Sequence, residues 1–234
     1  MSTDGMTRRI AETSPRSLAR MAGVFQLGEG ITATFGQVIV LDRLIVSGNA
    51  AATGANILGH EWLFWLGFAS SLVGVVFHLA WALLLYDLLK PVNRRLSLLA
   101  VFVILVGCAI QALTSLLYLA PLLVLKGGSS LSAFSAEQLP ALAFTFLRLN
   151  AYAFDIYLVF FGLWCFLTGL LIFRSTFLPR TIGILLAISG LGWTMYLVPP
   201  LAVRIFIPYI AGASAVGEMP LMLWLLLAGV NEQR

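Results

Sequence analysis

The chain has 234 residues, of which 60% are hydrophobic and only 10% charged, and its mean hydropathy is +0.98. A soluble domain carries about 25% charged residues, so a chain this apolar cannot cover a water-facing surface. Its charge of +4 comes from 14 Lys and Arg against 10 Asp and Glu. The basic residues follow the loops, which marks membrane topology; no nucleic-acid partner is expected.

Residues 1–20 are polar and carry Arg8, Arg9, Arg16 and Arg20. They read as a disordered basic cytoplasmic tail. The apolar segment that follows is full length and is interrupted by Gln26, Glu29 and Gln37, and no A-x-A-like cleavage site stands out. That predicts an uncleaved first helix rather than a secretory signal.

The first span is placed at about 21–41, with Gln26, Glu29, Ala33 and Gln37 at i, i+3, i+7 and i+11. They share a face that must meet protein or water rather than lipid. Residues 42–61, with Arg43 and His60, read as a loop. The second span is about 62–89. Trp62 and Trp65 suit a membrane interface, and Ser71, Gly74, His78 and Trp81 share a face. Asp87 comes three residues before Lys90, and Pro91 stops the helix. The third span, about 96–125, carries Gln111, Thr114, Ser115 and Tyr118, and Pro121 is expected to end or bend it.

After the long loop 126–140, Ser135 and Gln138 form a capping-box pattern. Residues 136–150 are either an outward extension of the fourth helix or an interfacial piece. The fourth span is about 151–173, and Arg148, Tyr152 and Asp155 form one stripe at its outer end. A short basic turn around Arg174, Pro179 and Arg180 leads to the fifth span, about 181–198. Its residues Gly183, Ala187, Gly190 and Thr194 form a small-residue face suited to close helix contact, within the chain or in a homodimer. Pro199-Pro200 predicts a break, after which the helix continues to about 210 and includes Arg204. The sixth span is about 213–230, with Glu218, Pro220 and Trp224.

Orientation follows from the basic residues. With the N-terminus inside, 10 of the 14 fall on the cytoplasmic side, leaving Arg43, Lys126, Arg148 and Arg204 outside. The reading is an all-α polytopic membrane helix bundle: a single domain over 21–230, with six transmembrane helices and both termini cytoplasmic.

Several stretches carry a family likeness. They are Arg20-Met-Ala-Gly, LLLYDLLKPVNRRLSLLAV after the second span, FFGLWCFLTGLLIFRSTFLPRTIGILLAISGLGW over 160–193, and GEMPLMLWLLLAGV near the end. In this order they resemble the bacterial membrane family catalogued as domain of unknown function 4386, over about 14–230. The resemblance implies a multi-pass protein of the bacterial inner membrane and no particular activity, ligand or catalytic residue.

Depth separates the polar residues. At 1.5 Å per residue, Glu29 lies roughly 13 Å from Arg20, His78 roughly 18 Å from Lys90 and Glu218 roughly 20 Å from Asn231. Gln111, Gln37 and Asp155 lie roughly 24, 25 and 28 Å from the basic end of their helices. In a hydrocarbon core about 30 Å thick, the first three are central and the other three fall in the outer half. Ionisable groups at such depth face one another or a wet cavity. The expectation is an outward-facing polar cavity lined by Glu29, His78, Glu218, Asp155, Gln111 and Gln37, with Arg148, Tyr152 and Arg204 at its mouth. The plainer alternative is that these groups only hydrogen-bond neighbours and hold the bundle together.

Several chemistries are not supported. His60 and His78 lie on or beside one helix, roughly 27 Å apart, too far to ligate one haem. Zinc hydrolysis needs more than one deep His. Cys108 and Cys165 sit in apolar segments and read as packing residues. No P-loop, G-x-S-x-G or C-x-x-C pattern occurs, and no cofactor or metal is predicted. The expected function is non-enzymatic: binding, transport or sensing of a small amphipathic or lipid-like ligand, with membrane lipid as the surrounding partner. The alternatives are an intramembrane enzyme acting on a lipid headgroup, with His78 and Glu29 or Glu218 as acid and base, and a scaffold with no ligand.

Overall fold

The computed structural model describes residues 14–202 and 211–230, and among these every regular element is helical. Helix α1 covers Pro15–Leu44. It starts earlier than the sequence patterning suggests, so Arg16 and Arg20 are helical rather than part of a tail. The cause is local: Ser14 Oγ accepts from the Ser17 amide at 3.2 Å, and Pro15 occupies a first-turn position that needs no donor. The rest of the expected tail, residues 1–13, lies outside the described residues. From Thr34 to Val40 the backbone widens into a π-helix before closing again at Leu41–Leu44.

The expected loop 42–61 contains a helix, α2, Ala50–Gly59. Asn49 Oδ1 accepts from the Ala52 amide at 2.9 Å and caps it, and Ile57 is fully buried. Four alanines favour the helix, Gly54, Gly59, Thr53 and Asn56 do not, and the cap, buried Ile57 and the bonds of Thr53 to Val46 and of Asn56 to the Leu44 carbonyl hold it in place. Helix α3 is Glu61–Leu89 and α4 is Arg94–Lys126, capped by Asn93 Oδ1 on the Leu96 amide at 3.0 Å. Pro121 does not end α4, which runs on to Lys126. Neighbouring helices can hold a proline in a membrane helix although it lacks a donor.

Helix α5, Gln138–Arg174, is continuous, so residues 138–150 extend it rather than lying as a separate interfacial piece. Half of the capping box forms: Gln138 Oε1 accepts from the Ser135 amide at 2.8 Å. Helix α6 is Arg180–Trp193, tightening to a 3₁₀ turn over Thr194–Leu197. At Val198 the backbone leaves helical geometry before Pro199–Leu201, as the proline pair predicts. Helix α7 is Ala211–Leu227.

Each long helix packs on the next, and α7 returns to α1, so α1, α3, α4, α5, α6 and α7 form a closed ring. Facing residues show that neighbours run antiparallel. Gly28 meets Phe77 while Gly36 meets Gly67 and Ser71 across α1–α3, and Gly23 meets Leu225 and Leu226 across α1–α7. On α6, Gly183, Ala187, Gly190 and Thr194 pack against Gly162, Phe166, Gly169 and Phe173 of α5, so the small-residue face is used inside the chain. The alternation gathers Arg16, Arg20, Lys90, Arg94, Arg95, Arg174 and Arg180 at one end of the bundle, here called the basic end.

Five of these helices are long and apolar enough to cross a membrane, and Gly217–Leu227 is a shorter apolar helix. The outside of the ring is apolar, with Val24, Ile31, Val76, Leu113, Leu116 and Ile188 all exposed. Apolar surface on the outside and polar groups within is the pattern of a protein dissolved in lipid. The chain is a helical multi-pass membrane protein.

Candidate functional site

The interior of the ring is layered. Toward the basic end, Trp81, Leu85, Leu89, Ala100, Ile104, Leu171 and Ile182 make an apolar cluster. Toward the far end, Val40, Leu44, Ile57, Phe64, Leu122 and Leu147 make a second one. Most of the buried polar side chains sit between them.

The central group is built on His78 of α3, which is fully buried. Its Nδ1 lies 3.1 Å from the Tyr157 hydroxyl of α5 and 3.8 Å from Glu29 Oε1 of α1. Trp81, Phe161 and Trp164 close around the ring, with centroids 5.2, 5.5 and 5.1 Å away. Among the described residues nothing bonds His78 Nε2. Glu29 is mostly buried, its side chain 13% exposed.

Glu218 of α7 completes this group. Its Oε1 accepts from Trp193 Nε1 at 2.7 Å and from Ser189 Oγ at 3.2 Å, both on α6. Gln26, one turn before Glu29, donates through Nε2 to the Glu218 carbonyl at 3.1 Å. The Glu29 and Glu218 carboxyl groups are within electrostatic range of each other. Four helices thus bring two carboxyl groups, an imidazole and a phenol to one level of the bundle, and α6 adds the Ser189 and Trp193 donors. Such a set can hold a hydrogen-bonding ligand or pass a proton between neighbours.

A second group lies nearer the far end. Gln37, in the π-helical stretch, accepts from Asn150 Nδ2 at 3.3 Å and donates to Ser71 Oγ at 3.4 Å. Ser71 Oγ donates to the Gly67 carbonyl at 3.0 Å, and the Tyr118 hydroxyl donates to the Gly36 carbonyl at 3.1 Å. A Cβ at Gly36 would collide with Ser71 and with the Gly67 carbonyl, so glycine is what lets α1 close onto α3 here. Gln111 of α4 is 1% exposed, and neither side-chain amide atom has a partner among the described residues.

Of the residues expected to line one site, Glu29, His78 and Glu218 come together, Gln37 joins the second group, and Gln111 is buried apart. Asp155 is partly buried near Tyr196 and, among the described residues, is bonded to neither group. Arg148 and Tyr152 are exposed, and no ion pair joins Arg148 to Asp155 among the described residues. Arg204 lies outside the described residues. The expected stripe on α5 was Arg148, Tyr152 and Asp155; the buried one is Asn150, Tyr157, Phe161 and Trp164. Its i, i+7, i+11, i+14 spacing was available in the sequence but starts two residues away. Trp193, which is not among the expected site residues, bonds Glu218 through its indole nitrogen.

A family model described as a domain of unknown function (DUF4386) matches residues 21–229. Neither the curated proteins nor the solved structures contain a match to this chain.

Proposed function

We propose a function from the site alone, because the chain belongs to the DUF4386 family, a domain of unknown function. The protein binds a small amphipathic or lipid-like ligand at the Glu29–His78–Glu218 centre, as a transporter, sensor or partner subunit of the bacterial inner membrane. One observation carries this: Glu29, His78, Tyr157 and Glu218 converge from four helices at the middle of a bundle that is apolar on both sides of them. A scaffold needs no such concentration of ionisable groups, since burying them opposes folding unless each is compensated. The topology proposed with it has six spans and both termini in the cytoplasm. It is supported by the basic residues gathered at one end, as the positive-inside rule requires.

Access for the ligand lies on the far side, where Val40, Leu44, Phe64, Leu122 and Leu147 close the interior. Opening outward is a parting of this cluster. The enzyme reading keeps some support from the Tyr157–His78–Glu29 arrangement, which has the reach of an acid–base relay.

Native mass spectrometry of the gently extracted protein, with lipidomics of what co-purifies, tests the binding reading. One retained species in the natural protein, lost in Glu29→Gln/His78→Ala, supports it and names the ligand class. A ligand-free mass, with the double variant equally or more stable, overturns it in favour of the scaffold. A product accumulating from added lipid, abolished by His78→Ala, would establish the enzyme instead.

A further inference from the structure

From the buried polar atoms that have no partner among the described residues, we infer that a file of ordered water runs inside the bundle from Asn150 and Gln37, past Gln111, to His78. The ends of the file are fixed by contacts already described: Asn150 and Gln37 with Ser71 at one end, His78 with Tyr157 and Glu29 at the other.

Three helices give the same separation between the ends. Gln37 and Glu29 are eight residues apart, Ser71 and His78 seven, and Asn150 and Tyr157 seven. Each interval is roughly 10–12 Å of helix, the length of a few water molecules in line. Gln111 falls within that interval. On its own helix, Gly107 packs against Tyr157, and Tyr118 reaches Gly36. Gln111 is one turn from the first and two turns from the second.

The unmet hydrogen-bonding capacity is spread along this path. Among the described residues it comprises Asn150 Oδ1, both side-chain amide atoms of Gln111 and His78 Nε2, on residues that are 1%, 1% and 0% exposed, and about one turn beyond Glu29 and His78 it continues to Gln26 Oε1 and Trp81 Nε1. Buried amides in a membrane protein without partners oppose folding. Water that bonds two to four such groups removes the penalty. One isolated amide would indicate local strain; three residues on three helices at successive depths indicate a line. Toward the far end the cluster of Val40, Leu44 and Phe64 bounds it, and toward the basic end apolar packing resumes beyond Trp81 at Leu85 and Leu89. A water file of this shape gives the His78–Glu29 pair a proton route toward the far end of the bundle. It does not depend on what ligand the centre takes.

Hydroxyl-radical footprinting by X-ray radiolysis tests it, with the full chain in lipid nanodiscs and mass spectrometry as readout. Radicals form from internal water and mark the side chains beside it. After normalising for intrinsic reactivity, Tyr157 is expected to label several-fold faster than Phe64, which is equally buried in an apolar cluster. Gln111→Leu is expected to bring Tyr157 down to the Phe64 rate. Asn150→Leu, on another helix, provides the same reading if the first variant does not fold. Tyr157 labelling no faster than Phe64 in the natural protein overturns the file. So does labelling unchanged in the variants: Gln111 would then be an idle amide, and Gln111→Leu would only raise the melting temperature.

Discussion

The Tyr157 hydroxyl sits 3.1 Å from His78 Nδ1, joining the fifth helix to the third in the interior of the bundle. This bond also sets what the imidazole can offer. Whichever group donates, Nδ1 is engaged, and Nε2 is the nitrogen left to meet a ligand or water.

Tyr157→Phe therefore removes one buried hydrogen bond and keeps the ring that packs on Phe154 and Phe161. Leaving a buried polar atom without its partner costs about 1–3 kcal/mol. The variant is expected to fold, to melt at lower temperature by a margin of that order, and to lose any ligand-dependent stabilisation. Thermal unfolding in detergent, with and without the co-purified species, measures both. An unchanged melting temperature would show that His78 is held by Glu29 and its aromatic neighbours alone.

The α5–α6 hairpin rests on backbone contact. A Cβ at Gly169 would lie 2.6 Å from the Ala187 nitrogen and 2.6 Å from the Gly183 carbonyl oxygen, closer than real contacts allow. Backbone cannot swing aside as a side chain can, so Gly169→Ala must separate the helices. The expected loss is about 1–3 kcal/mol, as for other overpacked sites. Gly30 makes the matched control: it lies in α1 with nothing near its missing Cβ. Gly30→Ala is expected to stabilise by about 0.5–1 kcal/mol. Equal effects at the two positions, read by thermal unfolding, would contradict the packing described.

Much of this was legible in the sequence because a membrane restricts the choices. The face Ser71-Gly74-His78-Trp81 is buried as its periodicity required, and Gln111, Thr114, Ser115 and Tyr118 are buried as well. The small-residue face of α6 met another helix, as such faces do. Charge says less on α5. Asp155, Arg148 and Tyr152 are the stripe that stands out in the sequence, while neutral Asn150 and Tyr157 are the residues that bond into the bundle. Near a helix end, charged side chains can reach the interface, so their position says little about the interior face. The π-helix of α1 was not legible either. It arises from a tertiary fit between Gly36, Gly67, Ser71 and Tyr118, and no local pattern announces that.

At the basic end, Lys90 Nζ lies 2.6 Å from Asp87 Oδ1. The Asp87 carboxylate, first as hydrogen-bond acceptor and then as a nearby charge, holds the Lys90 ammonium above its ordinary value of 10.5. A raised ammonium contributes stability that is fully present below that ordinary value and is lost as pH rises through the folded one. Both partners are exposed, so solvent screens the pair and its effect on the melting temperature at neutral pH should be undetectable. The titration itself is measurable. The lysines of this chain are Lys90 and Lys126, so carbon-13 lysine labelling gives two assignable signals. Asp87→Asn is expected to shift the Lys90 midpoint downward and leave the Lys126 signal as control. An unmoved Lys90 midpoint would mean that the contact does not persist in solution.

The π-helical stretch makes a local prediction. A π-helix widens the turn and displaces carbonyls from their usual donors, and such stretches concentrate at functional sites. Here the Gly36 carbonyl is met by the Tyr118 hydroxyl at 3.1 Å, and Gln37 is held between Ser71 and Asn150. Tyr118→Phe removes the first restraint while leaving its ring against Phe64 and Phe68. The cost in global stability is expected to be about 1 kcal/mol, that of an ordinary buried hydrogen bond. The larger effect should be local: faster amide exchange through residues 34–44, with the α5–α6 hairpin unchanged. Hydrogen–deuterium exchange by mass spectrometry separates the cases. Faster exchange confined to the α1 segment identifies Tyr118 as the clamp on the wide turn. Acceleration spread evenly over the bundle would show instead that the hydroxyl supports the whole fold and that the π-helix has no mobility of its own.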